Sequence, residues 1–458
     1  MKVPHSVPKN VFQVYRCSYE TTRLSSERDR TLRSEDVLWD ENRVPSLRSL
    51  ALLAIAAAWK DNPILEQLPT SEDRNELIEI LPTDLPFELT IATIEDERYW
   101  ERCSRDKWET NELSDHGNSW RQRYCEGVFR EYLESLEPSF FETQREECER
   151  KIRLVRSYVH AIRIRSLRPT RKAKPPDEGD PCDAEEDVVH HIPMGLILPQ
   201  LHRLTEIYIN FGVIYMDDGF EWRDFRFSLE DCLGLGEGAK ACPKLSKFTL
   251  CRSNLDQPRA AALLQGLLEN QNITEIDFSH CKLGDRGAFV LGEFLSMHNA
   301  RVLRLVNNNI GPKGASGLVH GTMKREPVLK HLDLRLNPLQ DDGIAHLCAY
   351  LLRTDSLEIL NVSGCGIKAA GGTALSEVLS SGCNLKTLSL DVSNNDFGQA
   401  VGEIFEAAFR SIPFIVRFDA RMCNFSARSE YSIYESVLRN REMHKQKTRK
   451  PFSWMTGA

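Results

Sequence analysis

Several features that would narrow the function of this sequence are missing. It has no C-x-x-C pair although it carries 13 cysteines among 458 residues, so the paired ligand spacing of a structural zinc site is absent. The odd count, with no apolar h-region in the opening MKVPHSVPKNVF, reads as mostly reduced core thiols in an intracellular protein rather than a disulfide framework. The longest apolar run, Leu50 to Trp59, falls far below the roughly 20 residues of a membrane-spanning helix. Positive charge is not in excess: 59 Lys and Arg against 67 Asp and Glu give −8, which argues against nucleic acid as the partner of the whole chain. There is no G-x-x-x-x-G-K-[ST] loop, and Gly234, Gly236 and Gly238 in GLGEGAK follow no strand, so they read as a helix end in an inserted segment. His190 and His191 are adjacent, which suits neither a helical metal pair nor a catalytic triad. The composition therefore predicts no catalytic residue, no cofactor, no metal and no small-molecule substrate.

What is present is a repeat. The pattern L-x-x-L-x-L-x-x-N/C-x-L recurs in LSKFTLCRSNL from Leu245, ITEIDFSHCKL from Ile273, ARVLRLVNNNI from Ala300, LKHLDLRLNPL from Leu329, LEILNVSGCGI from Leu357, TLSLDVSNNDF from Thr387 and IVRFDARMCNF from Ile415. The starts lie 28, 27, 29, 28, 30 and 28 residues apart, the long end of the leucine-rich-repeat range. A degenerate eighth copy, LTEIYINFGVI from Leu204 to Ile214, precedes them, followed by an insertion from Met216 to Phe227 and a helix in FSLEDCLGL. Ten residues past each Asn/Cys position stand Leu263, Leu291, Leu318, Leu347, Leu375, Phe405 and Ile433. Fourteen past it stand Leu267, Leu295, Thr322, Leu351, Leu379, Phe409 and Val437. A spacing of four puts each pair on one helical face. Gly287, Gly314, Gly343 and Gly371 recur six residues past the same position and indicate a turn or a close approach that admits no side chain. Each repeat is thus strand, turn, helix and return. The predicted fold is an α/β leucine-rich-repeat solenoid of about seven or eight repeats, ribonuclease-inhibitor-like in repeat length and Asn/Cys alternation, closed by a capping helix near Arg428 to Asn440.

The first third of the chain has helical periodicity without repeats, and it predicts an all-α N-terminal region. Trp120, Tyr124, Val128, Tyr132 and Leu136 step by four, with Cys125, Phe129 and Leu133 filling the stripe. Thr70 and Asp73 have cap-box spacing before another helix. Lys151 to Lys174 holds nine Lys/Arg and no acid, and Asp177 to Asp187 then holds seven acids beside prolines, the composition of a linker. The expected organisation is an arm over 1–45, a helical domain over 46–165, a charged linker over 166–195, the repeats over 196–440 and a basic tail over 441–458.

Two sets of residues stand out in the repeats. The inward column Ser253, Cys281, Asn308, Asn337, Cys365, Asn395 and Cys423 is expected to bond the backbone of neighbouring turns, Asn strongly and Cys as a smaller filler. A redox or metal role for those cysteines is the weaker alternative. The outward strand row Thr249, Asp277, Arg304, Asp333, Asn361, Asp391 and Asp419, with Arg252, Arg335 and Arg421 nearby, is either a partner-binding strip on the concave face or a set of acids that solvate the strands and pair with the arginines. The strip residues taken as candidates are Asp277, Arg304, Asp333, Arg335, Asn361, Asp419 and Arg421. Arg304 or Arg335 as an arginine finger, as in GTPase activators built on such repeats, is a further alternative. The stretch Lys151 to Lys174 and the tail residues Arg439, Arg441, Lys445, Lys447, Arg449 and Lys450 are solvated faces or docking points for an acidic surface such as tubulin tails.

The N-terminal region carries a resemblance as well. NPILEQLP (Asn62 to Pro69), LPTDLP (Leu81 to Pro86), DERYWERC (Asp96 to Cys103) and HGNSWRQRYCE (His116 to Glu126) resemble the dynein regulatory complex subunit 5 family, the T-complex-associated testis-expressed 1 proteins. The order of helical region, linker and repeats matches as well. That resemblance implies a non-enzymatic scaffold subunit of the nexin–dynein regulatory complex, which links doublet microtubules and regulates dynein-driven sliding. It implies other subunits of that complex as partners, inner dynein arms and doublet microtubules as further candidates, and a place in the cytoplasm and cytoskeleton at the axoneme of cilia and flagella. Nucleic acid and membrane are not implied. A cytosolic adaptor of another complex, such as a tropomodulin-like actin regulator, is the alternative.

Overall fold

A computed structural model describes residues 45–171, 189–211, 227–381 and 383–448. The arm up to residue 44, the acid-rich stretch Asp177 to Asp187, the insertion up to residue 226 and the tail residues Arg449 and Lys450 lie outside the described residues. The chain divides into two compact units at Leu89/Thr90.

The first unit contains α1 (Leu47–Ala57) and α2 (Ser71–Ile80). Each begins where a hydroxyl satisfies an orphan amide. Ser46 accepts from Ser49 N–H, and Thr70 accepts from Asp73 N–H at 3.1 Å. Leu52, Leu77, Ile78 and Leu81 are buried, and Arg48 pairs with Asp73 and Glu76. The short helix α3 (Phe87–Thr93) runs across the division.

The second unit opens with α4 (Glu97–Lys107), α5 (Trp120–Ser135), α6 (Pro138–Thr143) and α7 (Arg145–Val155). On α5 the buried side is Cys125, Phe129 and Leu133, while Trp120, Tyr124, Val128 and Tyr132 are half-buried. Tyr124 tilts against Trp100 and Trp108, and Tyr132 donates to Cys148 Sγ at 2.9 Å. The aromatics of the stripe thus stitch α5 to its helical neighbours, and the smaller residues face the core.

The strands then begin: β1 (Ala161–Ile164), β2 (Thr170–Arg171), β3 (Val189–His190), β4 (Glu206–Asn210), β5 (Lys247–Cys251), β6 (Glu275–Asp277), β7 (Val302–Arg304), β8 (His331–Asp333), β9 (Ile359–Asn361), β10 (Leu388–Asp391) and β11 (Ile415–Asp419). Nine of them form one parallel sheet in the order β1-β4-β5-β6-β7-β8-β9-β10-β11, while β2 and β3 make a separate antiparallel ribbon at the linker ends. The sheet starts at Ala161, one strand before the degenerate copy and inside the stretch that reads as helical. No repeat motif marks this strand. It is recognisable only from its pairing with β4, in which Arg163 stands opposite Tyr208.

Between the strands run α8 (Met194–Ile197), α9 (Leu229–Lys240), α10 (Gln257–Leu268), α11 (Gly284–Leu295), α12 (Pro312–Thr322), α13 (Gln340–Leu351), α14 (Ala369–Ser380) and α15 (Gln399–Phe409). The final helix α16 (Ala427–Thr448) runs past Asn440, the expected end. The core lies between the layers. Ile162, Ile207, Phe248, Ile276, Leu303, Leu332, Leu360, Leu390 and Phe418 form one register row toward the helices. Leu263, Leu291, Leu318, Leu347, Leu375, Phe405 and Ile433 meet that row, all buried. Strands repeat every ~4.8 Å but helices are about 10 Å across. Stacking one of each per repeat therefore bends the sheet, with the strands on the inner, concave side.

Glycine relieves that mismatch where helices crowd. An ideal Cβ on Gly321 would lie 1.9 Å from Gly292 O, and one on Gly292 would lie 2.3 Å from Gly317 O, so α11 and α12 touch backbone to backbone. Helix propensity alone predicts that Gly321→Ala stabilises the protein by about 1 kcal/mol. Because a carbonyl occupies the space, we expect a loss of about 2–3 kcal/mol instead, read as a lowered urea midpoint. A raised midpoint would mean the helices can move apart freely. The glycines six residues past the column residue also serve close approach. They sit within helices rather than in turns: a Cβ on Gly371 would lie 2.6 Å from Asp341 Oδ1, and one on Gly314 would lie 2.6 Å from Asp285 Oδ1. Asp285 uses that oxygen to accept from Gly311 N–H and Gly314 N–H at 2.7 and 2.9 Å, so each such acid caps the helix of the next repeat.

Both ends of the sheet are closed. At the far end Asn440 of α16 donates to Ile412 O and Ile415 O at 2.7 and 3.1 Å. At the near end α5 covers the free edge of β1. Glu126 accepts from His160 N–H and Ala161 N–H at 2.8 and 2.9 Å, and Glu134 accepts from Arg165 N–H at 2.7 Å. An open strand edge is a template for unwanted pairing, and the buried carboxylate of Glu126 and the half-buried one of Glu134 block it here.

Candidate functional site

Side chains alternate across a strand, so the residues flanking each core position face the concave side. The register places Arg163, Tyr208, Thr249, Asp277, Arg304, Asp333, Asn361, Asp391 and Asp419 in one continuous row. The acidic and amide members share a local task. Oδ1 of Asp277 accepts from Ser279 N–H at 2.9 Å, Asp333 from Arg335 N–H at 3.2 Å, Asn361 from Ser363 N–H at 3.0 Å, Asp391 from Ser393 N–H at 3.1 Å and Asp419 from Arg421 N–H at 3.2 Å. Each is an Asx turn that ends its strand.

The arginines are partly engaged. Arg335 reaches Asp333 at 3.1 Å, Arg421 reaches Asp419 at 2.7 Å, and Arg304 stands 3.7 Å from Glu275. Burial pushes the Asp333 carboxyl up, whereas the Arg421 guanidinium holds Asp419 down. The Arg421 side chain is 83% exposed and that of Arg335 49%, so these two present charge to solvent. Arg304, the alternative arginine finger, is half-buried beside Glu275.

The column residues lie beneath the turns, all buried. Asn308 Oδ1 accepts from Cys281 N–H (3.0 Å) and Leu283 N–H (3.3 Å), and its amide donates to Phe278 O at 2.7 Å. Asn337 does the same for the turn at Asn308, and Asn395 for the turn at Cys365. Where Cys replaces Asn, the thiol donates to the preceding repeat: Cys281 to Leu250 O at 3.1 Å, Cys365 to Leu334 O at 3.2 Å and Cys423 to Val392 O at 3.1 Å. Ser253 accepts from Phe211 N–H at 3.3 Å and donates to Cys251 O at 2.9 Å. Burial pushes the Cys365 thiol up to about 12 and that of Cys423 to about 11, which keeps them protonated donors rather than thiolate nucleophiles or ligands. The residue before each column position has positive φ: Arg252, His280, Asn307, Leu336, Gly364, Asn394 and Met422. Only three of the seven are Gly or Asn, because the column bonds hold the turn whatever side chain stands there.

Two features combine residues far apart in sequence. One is a cleft of about 700 Å³ where α5 and the loop before it meet the first strands. Arg123, Arg130, Arg163, Arg165 and Arg252 line it with Glu112, Asp115 and Glu126. The guanidinium of Arg123 lies 4.3 Å over the Trp108 ring. The other is a buried pair in which His191 Nδ1 meets Asp231 Oδ2 at 2.9 Å, its ring edge-on to Phe211. Asp231 is at the same time the capping-box acid of α9, with Ser228 as N-cap. The adjacent histidines thus separate in role, with His191 in the core and His190 half-buried. The glycines of GLGEGAK lie inside α9, where Gly236 packs against the backbone of α10 and Gly238 against that of α8. Among the described residues no group of His, Cys, Asp and Glu is arranged to hold a metal ion, and the cysteines there are free. No described helix is long and apolar enough to cross a membrane.

Comparison with known proteins agrees with the repeat geometry. A leucine-rich-repeat family model matches residues 269–292, 301–319, 327–348 and 356–376. Mouse dynein regulatory complex subunit 5 is 33% identical over 57% of this chain and 53% of its own length. The protein of the same name from Chlamydomonas reinhardtii is 30% identical over 48% of this chain and 50% of its own length. Pig ribonuclease inhibitor is 30% identical over 34% of this chain and 35% of its own length. The chain thus spans about half the length of the subunit 5 relatives it matches. A solved tropomodulin C-terminal domain from Caenorhabditis elegans covers 48% of this chain and 97% of its own length at 12% identity, with a TM-score of 0.21, a level that carries no argument about function. The chain is a leucine-rich-repeat solenoid of the ribonuclease-inhibitor-like class, homologous to proteins named dynein regulatory complex subunit 5.

Proposed function

We propose that this chain is a non-enzymatic scaffold subunit of the axonemal nexin–dynein regulatory complex, in which it helps to hold doublet microtubules in register and to regulate dynein-driven ciliary or flagellar motility. The observation that carries the proposal is the homology to dynein regulatory complex subunit 5 from both mouse and Chlamydomonas. The geometry supports a mechanical role. Nine strands in one sheet, at ~4.8 Å each, make a strip of roughly 40 Å backed by a continuous core. Such a body holds partners at a set distance, because bending it would strain every repeat interface at once. In this proposal the helical region anchors the chain to other subunits. The concave residues Asp277, Arg304, Asp333, Arg335, Asn361, Asp419 and Arg421 meet a partner, with inner dynein arms and doublet microtubules as further neighbours.

The test is a fluorescent fusion in ciliated cells or sperm, in which axonemal signal is expected and a diffuse cytosolic signal would refute the assignment. A triple variant, Arg304→Ala with Arg335→Ala and Arg421→Ala, removes charge from the strip, including the ion pairs to Asp333 and Asp419, while keeping the backbone N–H donors of the Asx turns. It is expected to lower incorporation into axonemes at least severalfold; unchanged incorporation would remove the concave strip from the interface.

A further inference from the structure

The cleft at the first strands holds more guanidinium than its carboxylates can neutralise. Glu126 is committed to His160 N–H, Ala161 N–H and the His116 ring. Asp115 and Glu206 are taken by Arg163, at 3.3 and 3.0 Å. Arg130 comes no nearer than 3.8 Å to Glu131 or Glu134, and its buried Nε has no hydrogen-bond partner. Arg123 is buried with no carboxylate at ion-pair distance among the described residues, and burial together with the Arg130 charge lowers its affinity for its proton. Arg165 and Arg252 are exposed and likewise make no ion pair among the described residues. Like charges gathered in a concave, partly desolvated site raise the local potential and attract an anion from outside.

The surroundings narrow the class of that anion. Guanidinium forks match carboxylate and phosphate. Glu112 and Asp115 at the rim, with Asp277 on the adjoining strip, oppose an unbroken phosphate backbone. An extended peptide places same-side carboxylates about 6.6 Å apart and can set them between these acids. The cleft also continues into the concave row through Arg163 and Tyr208, so a chain lying along the strip would enter it.

We propose that this cleft binds an acidic stretch of a partner polypeptide, its carboxylates seated on Arg130, Arg165 and Arg252. The site lies outside the strip residues assigned above, and it stands or falls independently of axonemal localisation.

The experiment is fluorescence polarisation with the whole chain and a labelled peptide of alternating Glu and Asp. A Gln/Asn peptide of equal length is the neutral control, and a phosphoserine peptide and a single-stranded oligonucleotide are competitors. We expect saturable binding of the acidic peptide, weakened at least about tenfold when salt rises from about 50 to about 300 mM. The double variant Arg165→Gln/Arg252→Gln, in exposed side chains, should weaken binding by a further factor of about ten with an unchanged unfolding temperature. Arg421→Gln, at the far end of the sheet, should leave it unaltered. Equal binding of the neutral peptide, full affinity in the double variant, or binding of the phosphopeptide or oligonucleotide in place of the acidic peptide would overturn the proposal.

Discussion

Asn337→Ala is expected to lower the unfolding free energy by about 4 kcal/mol. The Asn337 side chain is fully buried, accepts from Asn308 N–H (2.9 Å) and Ile310 N–H (3.1 Å), and donates to Leu305 O and Leu334 O, both at 2.8 Å. Alanine leaves two backbone donors and the Leu305 carbonyl without partners in a site closed to water, while Leu334 O keeps only the Cys365 thiol, and each stranded group costs about 1–3 kcal/mol. The loss should appear as a lower urea midpoint at unchanged slope. Asn337→Cys distinguishes this from a simple volume effect. A thiol retains one donation, as Cys365 shows toward Leu334 O, but abandons the amides, so about half the loss should remain. If the alanine variant lies within about 1 kcal/mol of the parent, the column does not hold the turns.

Glu126→Ala should cost about 3–5 kcal/mol by a different route. The Glu126 carboxylate is buried, yet it faces the open edge of β1, where it accepts from His160 N–H, Ala161 N–H and Gln122 Nε2 (2.9 Å) and bonds the His116 ring. Removing it strands buried amides and uncaps a sheet edge. Two readouts follow. Amide exchange at His160 and Ala161 should accelerate at least a hundredfold, and the variant should associate in a concentration-dependent way through the exposed strand. Glu126→Gln keeps an oxygen for the two backbone amides and should lose only about 1–2 kcal/mol. Equal losses for the two substitutions would mean that charge, rather than edge capping, is what the site needs.

The two predictions differ in how visible their residues are in the sequence. Asn337 belongs to a column that recurs with each repeat, because every turn poses the same backbone problem and the chain answers it with the same kind of side chain. The core leucines are legible for the same reason: Leu263, Leu291 and Leu347 return at one spacing and are buried at one depth. Glu126 recurs nowhere. It sits in an amphipathic helix where an acid reads as solvent-facing, and its partner strand, β1, lacks the repeat motif. His191 and Asp231 are forty residues apart, and nothing in either segment points to the other. Gly292 and Gly321 read as weak points in helices until the backbones of α11 and α12 are placed in contact. The concave row was also recognisable as a row, yet the Asx turns that occupy its acids required the backbone of the residue two positions on.

Periodicity alone therefore determined the solenoid, its strand and helix halves, its inward column and its outward row, since these are one local solution repeated along the chain. The ends of the sheet, the points where neighbouring helices touch and the arginine-lined cleft at the first strands were decided by tertiary structure. Each depends on groups that come within a few ångströms only after distant segments pack together, and so leaves no spacing for a sequence pattern to register.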